Sequence, residues 1–517
     1  MRNYINIPLG LLLCLIAITS VAQKKVVSKK KADMYFSLGF YHQALPTYLS
    51  LIEKHKNNLD LNFRIGVCYL NTEYKMTAES YLDEAINQGF APAYFYRGQI
   101  QHLKGNPDLA ISDYLFFKRY ATQKEYAEYD IDRYIEISQQ AKRLMNNPID
   151  VTIENLGENI NTPFADYVPV LSADESTMIF TSRRPGGIGG KKDANENFYE
   201  DIYISQNSNA GWEMAKNIGE GINTESHEAC VGLTADGQKL LLYRMNENGY
   251  GGDLFYAALE GLKWGTPTII SGEINSPYWE PSACLSADEK FIIFSSNRPG
   301  GYGGRDIYLA RKKPDGTWGT PMNLGPIVNT EFDEDAPFLH PDGKTLYFSS
   351  KGHNTMGGFD IFKSTMSYDG MWTLPENIGY PINTVDDDIY FVLSTDGLRG
   401  YFSSDRAGGI GGKDIYMANM SEAIIPLKII KGHVWDFEDN SPVMATITII
   451  DIDKKEVQGI YRTNPGNGKY LIILPTDKRF KAVIEAENFF PFTELIESSK
   501  SSEYKEILRD IYLENSK

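Results

Sequence analysis

The 517-residue sequence has four cysteines, seven histidines and no excess of basic charge, and past residue 22 it has no long apolar run. Each shortage excludes something. Cys14 lies in the leader, which leaves Cys68, Cys230 and Cys284. Three scattered thiols make no disulfide framework. Cys230 and Cys284 stand in apolar strand segments, so buried free thiols are expected. The formal net charge of −17 leaves no basic surplus to neutralise phosphates. That excludes nucleic acid and docking of the whole protein on an anionic bilayer. No segment after the leader has the length and apolarity of a transmembrane helix. The histidines at 42, 55, 102, 227, 340, 353 and 433 form no i, i+3 or i, i+4 pair for a metal. His227 beside Glu228 reads as a lone surface pair. No Gly-x-Ser-x-Gly elbow presents a nucleophile.

What is present begins with a leader. Arg2 is followed by an apolar core, Leu9 to Ile18, too short to span a bilayer, and by the small residues of Ser20-Val21-Ala22. Residues 1–22 therefore read as a signal peptide, with Gln23 as the first mature residue. Cys14 follows Leu13 inside the apolar core, where a lipoprotein signal needs a small residue, so lipidation is not expected. The chain is expected to be exported, to the periplasm or the outer membrane. Residues 23–31 form a basic linker.

Residues 32–146 carry a helical period. Ala44, Ala78 and Ala110 are 34 and 32 residues apart, and Tyr48, Tyr81 and Tyr114 are spaced by 33, with Gly39, Gly66 and Gly98 at related positions. Small residues at that period suit helices crossing in pairs, and the pattern resembles tetratricopeptide repeats. Asp130 to Leu144 reads as a closing helix. Stacked pairs form a groove, and Tyr35, Tyr69, Phe95, Tyr96 and Arg97 are the candidate partner-binding residues, although most of these aromatics are expected to pack between helices.

Residues 150–421 change to short β runs with a longer period. An Asn recurs at 161, 223, 275, 329 and 383, and an Asp at 174, 236, 288, 342 and 396. Asp201-Ile202-Tyr203 is echoed at Asp253, Asp306, Asp360 and Asp414, and Trp212 at Trp264, Trp318 and Trp372. Four short strands per unit give the arithmetic of a propeller blade. Five sets of first to third strands are matched by only four fourth strands. The missing one is supplied by Val151 to Gly157, which ends in the same Asn-Leu-Gly and closes the ring, giving five blades and not six. Residues 428–514 read as a small β-sandwich. The fold class is thus multidomain: all-α tetratricopeptide repeats, an all-β five-bladed propeller, then a β-sandwich.

The motif at 295–308, Ser-Ser-Asn-Arg-Pro-Gly-Gly-Tyr-Gly-Gly-Arg-Asp-Ile-Tyr, with His-Pro-Asp-Gly at 340–343, resembles TolB-like and WD-repeat-like envelope propellers. Residues 431–436 and 474–476 look like a carboxypeptidase regulatory-like domain. The order of modules is similar to PorE-like proteins of Bacteroidetes, which are linked to type IX secretion. The sequence stops at Lys517 without their OmpA-like domain, so that route to peptidoglycan is not expected. The resemblance implies a non-enzymatic scaffold whose partners are outer-membrane or periplasmic proteins of an envelope complex, with no cofactor.

Two patterns invite chemistry. The Gly-rich loops Pro185 to Lys191, Pro299 to Arg305 and Ala407 to Lys413 open strands, not helices, so they read as tight turns and not phosphate cradles. Eight residues before each turn Asp stands a carboxylate: Asp166, Glu228, Glu280, Glu334 and Asp388. Symmetry puts these five in a ring at one mouth of the channel. They are expected to be structural, accepting hydrogen bonds from backbone or from Arg184, Arg298 and Arg406. The competing reading is a metal site, with Ca²⁺ as the ion and Asp333, Asp335, Asp386 and Asp387 assisting. Glycoside hydrolysis needs two differentiated carboxylates, which a five-fold repeat does not supply. A carbohydrate-binding or glycoside-processing propeller is the alternative to the scaffold.

Overall fold

The computed structural model describes residues 26–193, 195–208, 210–246, 251–367, 369–421, 427–498 and 505–516. Residues 1–22, expected from the sequence to be a signal peptide, and the first three residues of the expected linker lie outside them. The chain divides into two compact units, one ending at Arg143 and one beginning at Leu144.

The first unit is helical: α1 (Lys29–Ser37), α2 (Tyr41–Ile52), α3 (Leu59–Leu70), α4 (Ala78–Asn87), α5 (Pro92–Leu103), α6 (Pro107–Tyr120), α7 (Gln123–Tyr129) and α8 (Ile131–Met145). The end of the linker is already helical, because the Ser28 side chain caps α1. Gly66 and Gly98 sit where helices cross: a Cβ on Gly66 would lie 2.7 Å from Leu82, and one on Gly98 would lie 2.5 Å from Tyr114. Gly39 differs. Its φ of 76° belongs to the turn between α1 and α2.

The second unit opens as a β-propeller. Five antiparallel sheets succeed one another, with innermost strands Asp166–Leu171, Glu228–Leu233, Ala283–Leu285, Glu334–Leu339 and Asp388–Leu393. Each innermost strand touches that of the next sheet, and the fifth touches the first. In the first four sheets the fourth strand is broken: a short rung or bridge at the Trp, as in Gly211–Trp212, precedes a two-residue strand, as in Lys216–Asn217. In the fifth sheet the outer strand is Val151–Asn155, paired antiparallel with Asp414–Met420 from Val151↔Met420 to Asn155↔Tyr416. The sequence expected that pairing.

The repeated residues are hydrogen-bond nodes between sheets. Asn161, Asn223, Asn275, Asn329 and Asn383 each exchange two bonds with the backbone of Ile415, Ile202, Leu254, Ile307 and Ile361 respectively, standing in for a strand neighbour. The Asn of each Asn-x-Gly ending donates to the Asp that opens a third strand, as Asn217 does to Asp201 at 2.7 Å and Asn323 to Asp306 at 2.6 Å. Cys68, Cys230 and Cys284 are free and buried, and burial pushes each thiol up to about 12.

The Gly-rich loops do more than turn. Gly186, Gly300 and Gly408 have positive φ, as the turn reading expects. Gly303, Gly357 and Gly411 do not; they are places where one backbone crosses another. A Cβ on Gly411 would lie 2.3 Å from the carbonyls of Thr162 and Phe164, across the seam that closes the ring.

Two four-stranded sheets follow, one centred on Leu427–Asp436 and the other on Thr446–Asp451 and Lys478–Glu485. Val434, Ile447, Ile449, Leu474, Phe480 and Ile484 fill the space between them. This sandwich packs on the turn side of the propeller through Ala173, Leu427, Ile429, Leu471 and Ile473. Lys431 and Lys469 reach the buried Asp174 at 3.3 and 3.7 Å. Gly466 lies against Gly261, where a Cβ would come within 2.3 Å of the other glycine's Cα.

Gly411→Ala should destabilise the protein by roughly 3 kcal/mol or more, as backbone overpacking does. Gly408→Ala, where a Cβ meets nothing within 4 Å, should cost only about 1 kcal/mol through its positive φ. Urea unfolding of the two variants checks the contrast.

Candidate functional site at the channel mouth

The five ring carboxylates are fully buried. Each accepts from a Thr or Ser four residues earlier, through both backbone N–H and hydroxyl. For Asp166 the donor is Thr162, with both bonds 2.7 Å. Thr224 serves Glu228 at 3.0 and 2.5 Å, Ser276 serves Glu280 at 3.2 and 2.6 Å, Thr330 serves Glu334 at 2.8 and 2.6 Å, and Thr384 serves Asp388 at 2.6 and 2.7 Å.

An arginine completes four of the five knots. Arg184 donates to Asp166 at 2.6 Å, Arg298 to Glu280 at 3.1 Å and Arg406 to Asp388 at 2.9 Å. Each also donates to a carbonyl of the preceding loop, at Ile160, Ile274 and Ile382. The fourth arginine is one that the repeat pattern did not single out. Arg244 stands in the register position that Ser182 occupies in the first sheet, and donates to Glu228 at 3.0 Å and to Ile222 O at 2.7 Å. The signal was an Arg replacing a Ser opposite the carboxylate.

Glu334 has no such arginine. Gly352 occupies the place, because a Cβ there would lie 2.1 Å from Thr330 Oγ1, and the His353 ring takes over the loop carbonyl, at Val328 O, 2.9 Å. Burial drives the Glu334 carboxyl up and Asp306 adds to it. The bonds from Thr330 and Ser350 offset part of this, leaving it at about 7.

The ring is thus held by donors, and no group of three or more His, Cys, Asp or Glu side chains among the described residues is placed to hold a metal. Asp333, Asp335 and Asp387 do not join it. Asp333 and Asp335 pair with Arg305. Asp387 accepts the Phe359 N–H at 2.9 Å and faces Lys413 at 3.5 Å. Asp386 accepts from the Asp387 N–H at 3.0 Å.

Around the ring, the mouth is lined by residues that do not repeat. Arg183 donates to Glu200 at 2.5 Å and to Asp193 at 2.9 Å, Tyr167 donates to Glu200 at 2.6 Å, and the His227 ring bonds the same carboxylate. Burial of Glu200 opposes its ionisation, but His227, Arg183 and Tyr167 together hold its carboxyl at about 2. In place of a surface pair with Glu228, His227 is buried against Glu200 and stacked on Tyr199. Below the mouth the channel wall is mainly apolar, with Val168, Pro169, Val231, Leu285, Pro337 and Val392, joined by Ser282 and Tyr390.

The candidates in the helical unit are drawn inward. Phe95 is buried among Tyr114, Phe117, Tyr129 and Tyr134. Tyr96 packs on Phe63, and Tyr69 stacks on Tyr81. Tyr35 lies edge-on to Phe40. Arg97 bridges Asp83 and Asp113 at 2.9 and 2.6 Å.

No family model matches the chain, and no curated protein does. Among solved structures it is similar to TolB from Agrobacterium tumefaciens, at 18% identity over 63% of this chain and 98% of that one, with a TM-score of 0.32. It is similar to TolB from Acinetobacter baumannii, at 13% identity over 57% and 70%, with a TM-score of 0.33. A third likeness is to an endo-arabinase from Bacteroides thetaiotaomicron, at 14% identity over 49% and 93%, with a TM-score of 0.32. What each of those proteins does stays with that protein.

A carboxyl whose folded value is raised stabilises the fold fully only below its unfolded value near 4.5, and that contribution is lost as pH rises through about 7. Glu334→Gln should therefore match the wild type near pH 4.5 and exceed it by about 3 kcal/mol at pH 8. Arg298→Leu should act oppositely, costing about 3 kcal/mol by leaving Glu280 buried and unpaired. Denaturant unfolding between pH 4.5 and 8 reads both.

Proposed function

We propose that the chain is a non-enzymatic scaffold of a cell-envelope assembly, exported by its leader and held in the periplasm or at the outer membrane. Its partners are outer-membrane or periplasmic proteins, and its setting is the envelope machinery linked to type IX secretion. In this reading the helix pairs are tetratricopeptide repeats, and the five sheets are the blades of one closed, TolB-like propeller. The terminal sandwich is a carboxypeptidase regulatory-like domain, in the order of PorE-like proteins. No cofactor is needed.

The observation that carries the reading is the fate of the ring carboxylates. All five are occupied by donors from their own sheets, so the most regular acidic feature of the chain is structural. A glycoside hydrolase needs an acid and a base or nucleophile in different environments, both facing substrate. Here the acids are buried and the channel wall is mainly apolar. The test is affinity purification of the tagged full chain from its native envelope in mild detergent, with crosslinking. Stoichiometric outer-membrane or secretion subunits are expected; a chain that comes alone even when crosslinked overturns the scaffold.

One observation favours the alternative, a carbohydrate-binding or glycoside-processing propeller. Trp279 is 44% exposed at the mouth and shares Arg305 with two carboxylates. An exposed indole beside polar groups is a platform for a sugar ring. Saturable glycan binding by the full chain, lost in Trp279→Ala, would decide for it.

A further inference from the structure

The residue before each ring carboxylate is Ala165, His227, Trp279, Asp333 or Asp387, and the residue before each third-strand Asp is Glu200, Gly252, Arg305, Phe359 or Lys413. These ten positions occupy equivalent places in the five sheets, yet their chemistry differs from sheet to sheet. The repeated positions are consumed by the fold, so recognition has to come from positions like these.

In the third and fourth sheets they build a ladder. Arg305 lies 4.9 Å from the Trp279 ring centroid and 5.5 Å from that of Phe359, and Lys351 lies 4.7 Å from Phe359. Two rings and two cations thus alternate through three contacts. The inner rungs are covered: Phe359 is buried and the Arg305 side chain is 12% exposed. The ladder ends on Trp279, which is exposed. Cations bind aromatic faces, and indole binds them best. Behind the open end Arg305 answers two carboxylates, Asp333 and Asp335, so the group carries one negative charge in excess, and the Asp333 side chain is 31% exposed, in a chain with a net charge of −17.

We propose that Trp279 is the docking point for an arginine-bearing segment of a partner protein, the guanidinium stacking on the exposed indole and its charge answered by Asp333. A planar, weakly hydrated guanidinium suits a stacked site better than an ammonium does. Trp, Tyr and Arg are the residues that dominate binding energy at protein interfaces, and Tyr278 beside Trp279 is exposed to the same degree. The inference rests on the scaffold reading and gives that scaffold a contact with stated chemistry.

The test uses the full-length chain labelled with 5-fluorotryptophan, the ¹⁹F signal of Trp279 being assigned from the Trp279→Phe variant. N-acetyl-arginine amide is titrated in, with N-acetyl-citrulline amide as its neutral isostere. The arginine probe should move the Trp279 signal saturably, and citrulline should bind about fivefold more weakly. The arginine response should weaken as salt is raised. No saturable shift, or equal shifts with both probes, overturns the site, as does a saturable response to a neutral disaccharide in place of arginine. If the site fails while envelope proteins still co-purify with the chain, the scaffold stands and only this contact falls; loss of co-purification removes the scaffold itself.

Discussion

A carboxylate buried between two sheets persists only if its charge is answered, and that requirement organises the propeller. Each ring carboxylate draws the Thr or Ser four residues earlier into a tight loop and fixes where the innermost strand begins. The arginine that balances it ties that loop to the end of the second strand and to a carbonyl of the loop before. One side chain thereby sets the position of three backbone segments. A buried pair of this kind adds little net stability over an apolar substitute, but removing one partner is costly. The knots therefore act mainly to specify the arrangement, and Glu334 shows how far the pattern bends when the cation is missing.

The glycines follow from the same geometry. Loops pulled so close cannot all carry a Cβ, and Gly303, Gly357 and Gly411 are the crossings where there is no room for one. Gly352 belongs to the same set, since its Cβ space is taken by Thr330. Close approach at one level excludes the arginine at the next, so the loss of the cation beside Glu334 and the glycine at 352 are one structural event.

Legibility in the sequence tracked repetition. The Asn, Asp and Asp-Ile-Tyr marks recur at fixed spacing because each meets the same backbone atoms in every sheet, and the strand Val151–Asn155 could be paired because it carries the ending of a fourth strand. Arg244 escaped notice because it delivers the same charge from a position two residues earlier than its counterparts. The Gly-rich loops looked like turns because a sequence shows a glycine but not the backbone that crosses it. The mouth was least legible. Glu200, His227, Trp279 and Arg305 follow no period, and only folding brings them together. In the helical unit, aromatic spacing marked the crossings, while burial separated Phe95 from the more accessible Tyr35.

Synthesis runs from Val151 toward Met420, and the outer strand of the fifth sheet is made before everything it will pair with. Its Asn155 pairs with Tyr416 and donates to Asp414, which lies 259 residues beyond it. Throughout that interval a strand alternating apolar and polar residues waits with an open edge, while four sheets form with their own fourth strands already in place. Late, long-range pairing is slow, and waiting edges are where chains join wrongly. The seam between the first and fifth sheets is thus the last to form and the one most exposed to wrong pairing while the chain is being made.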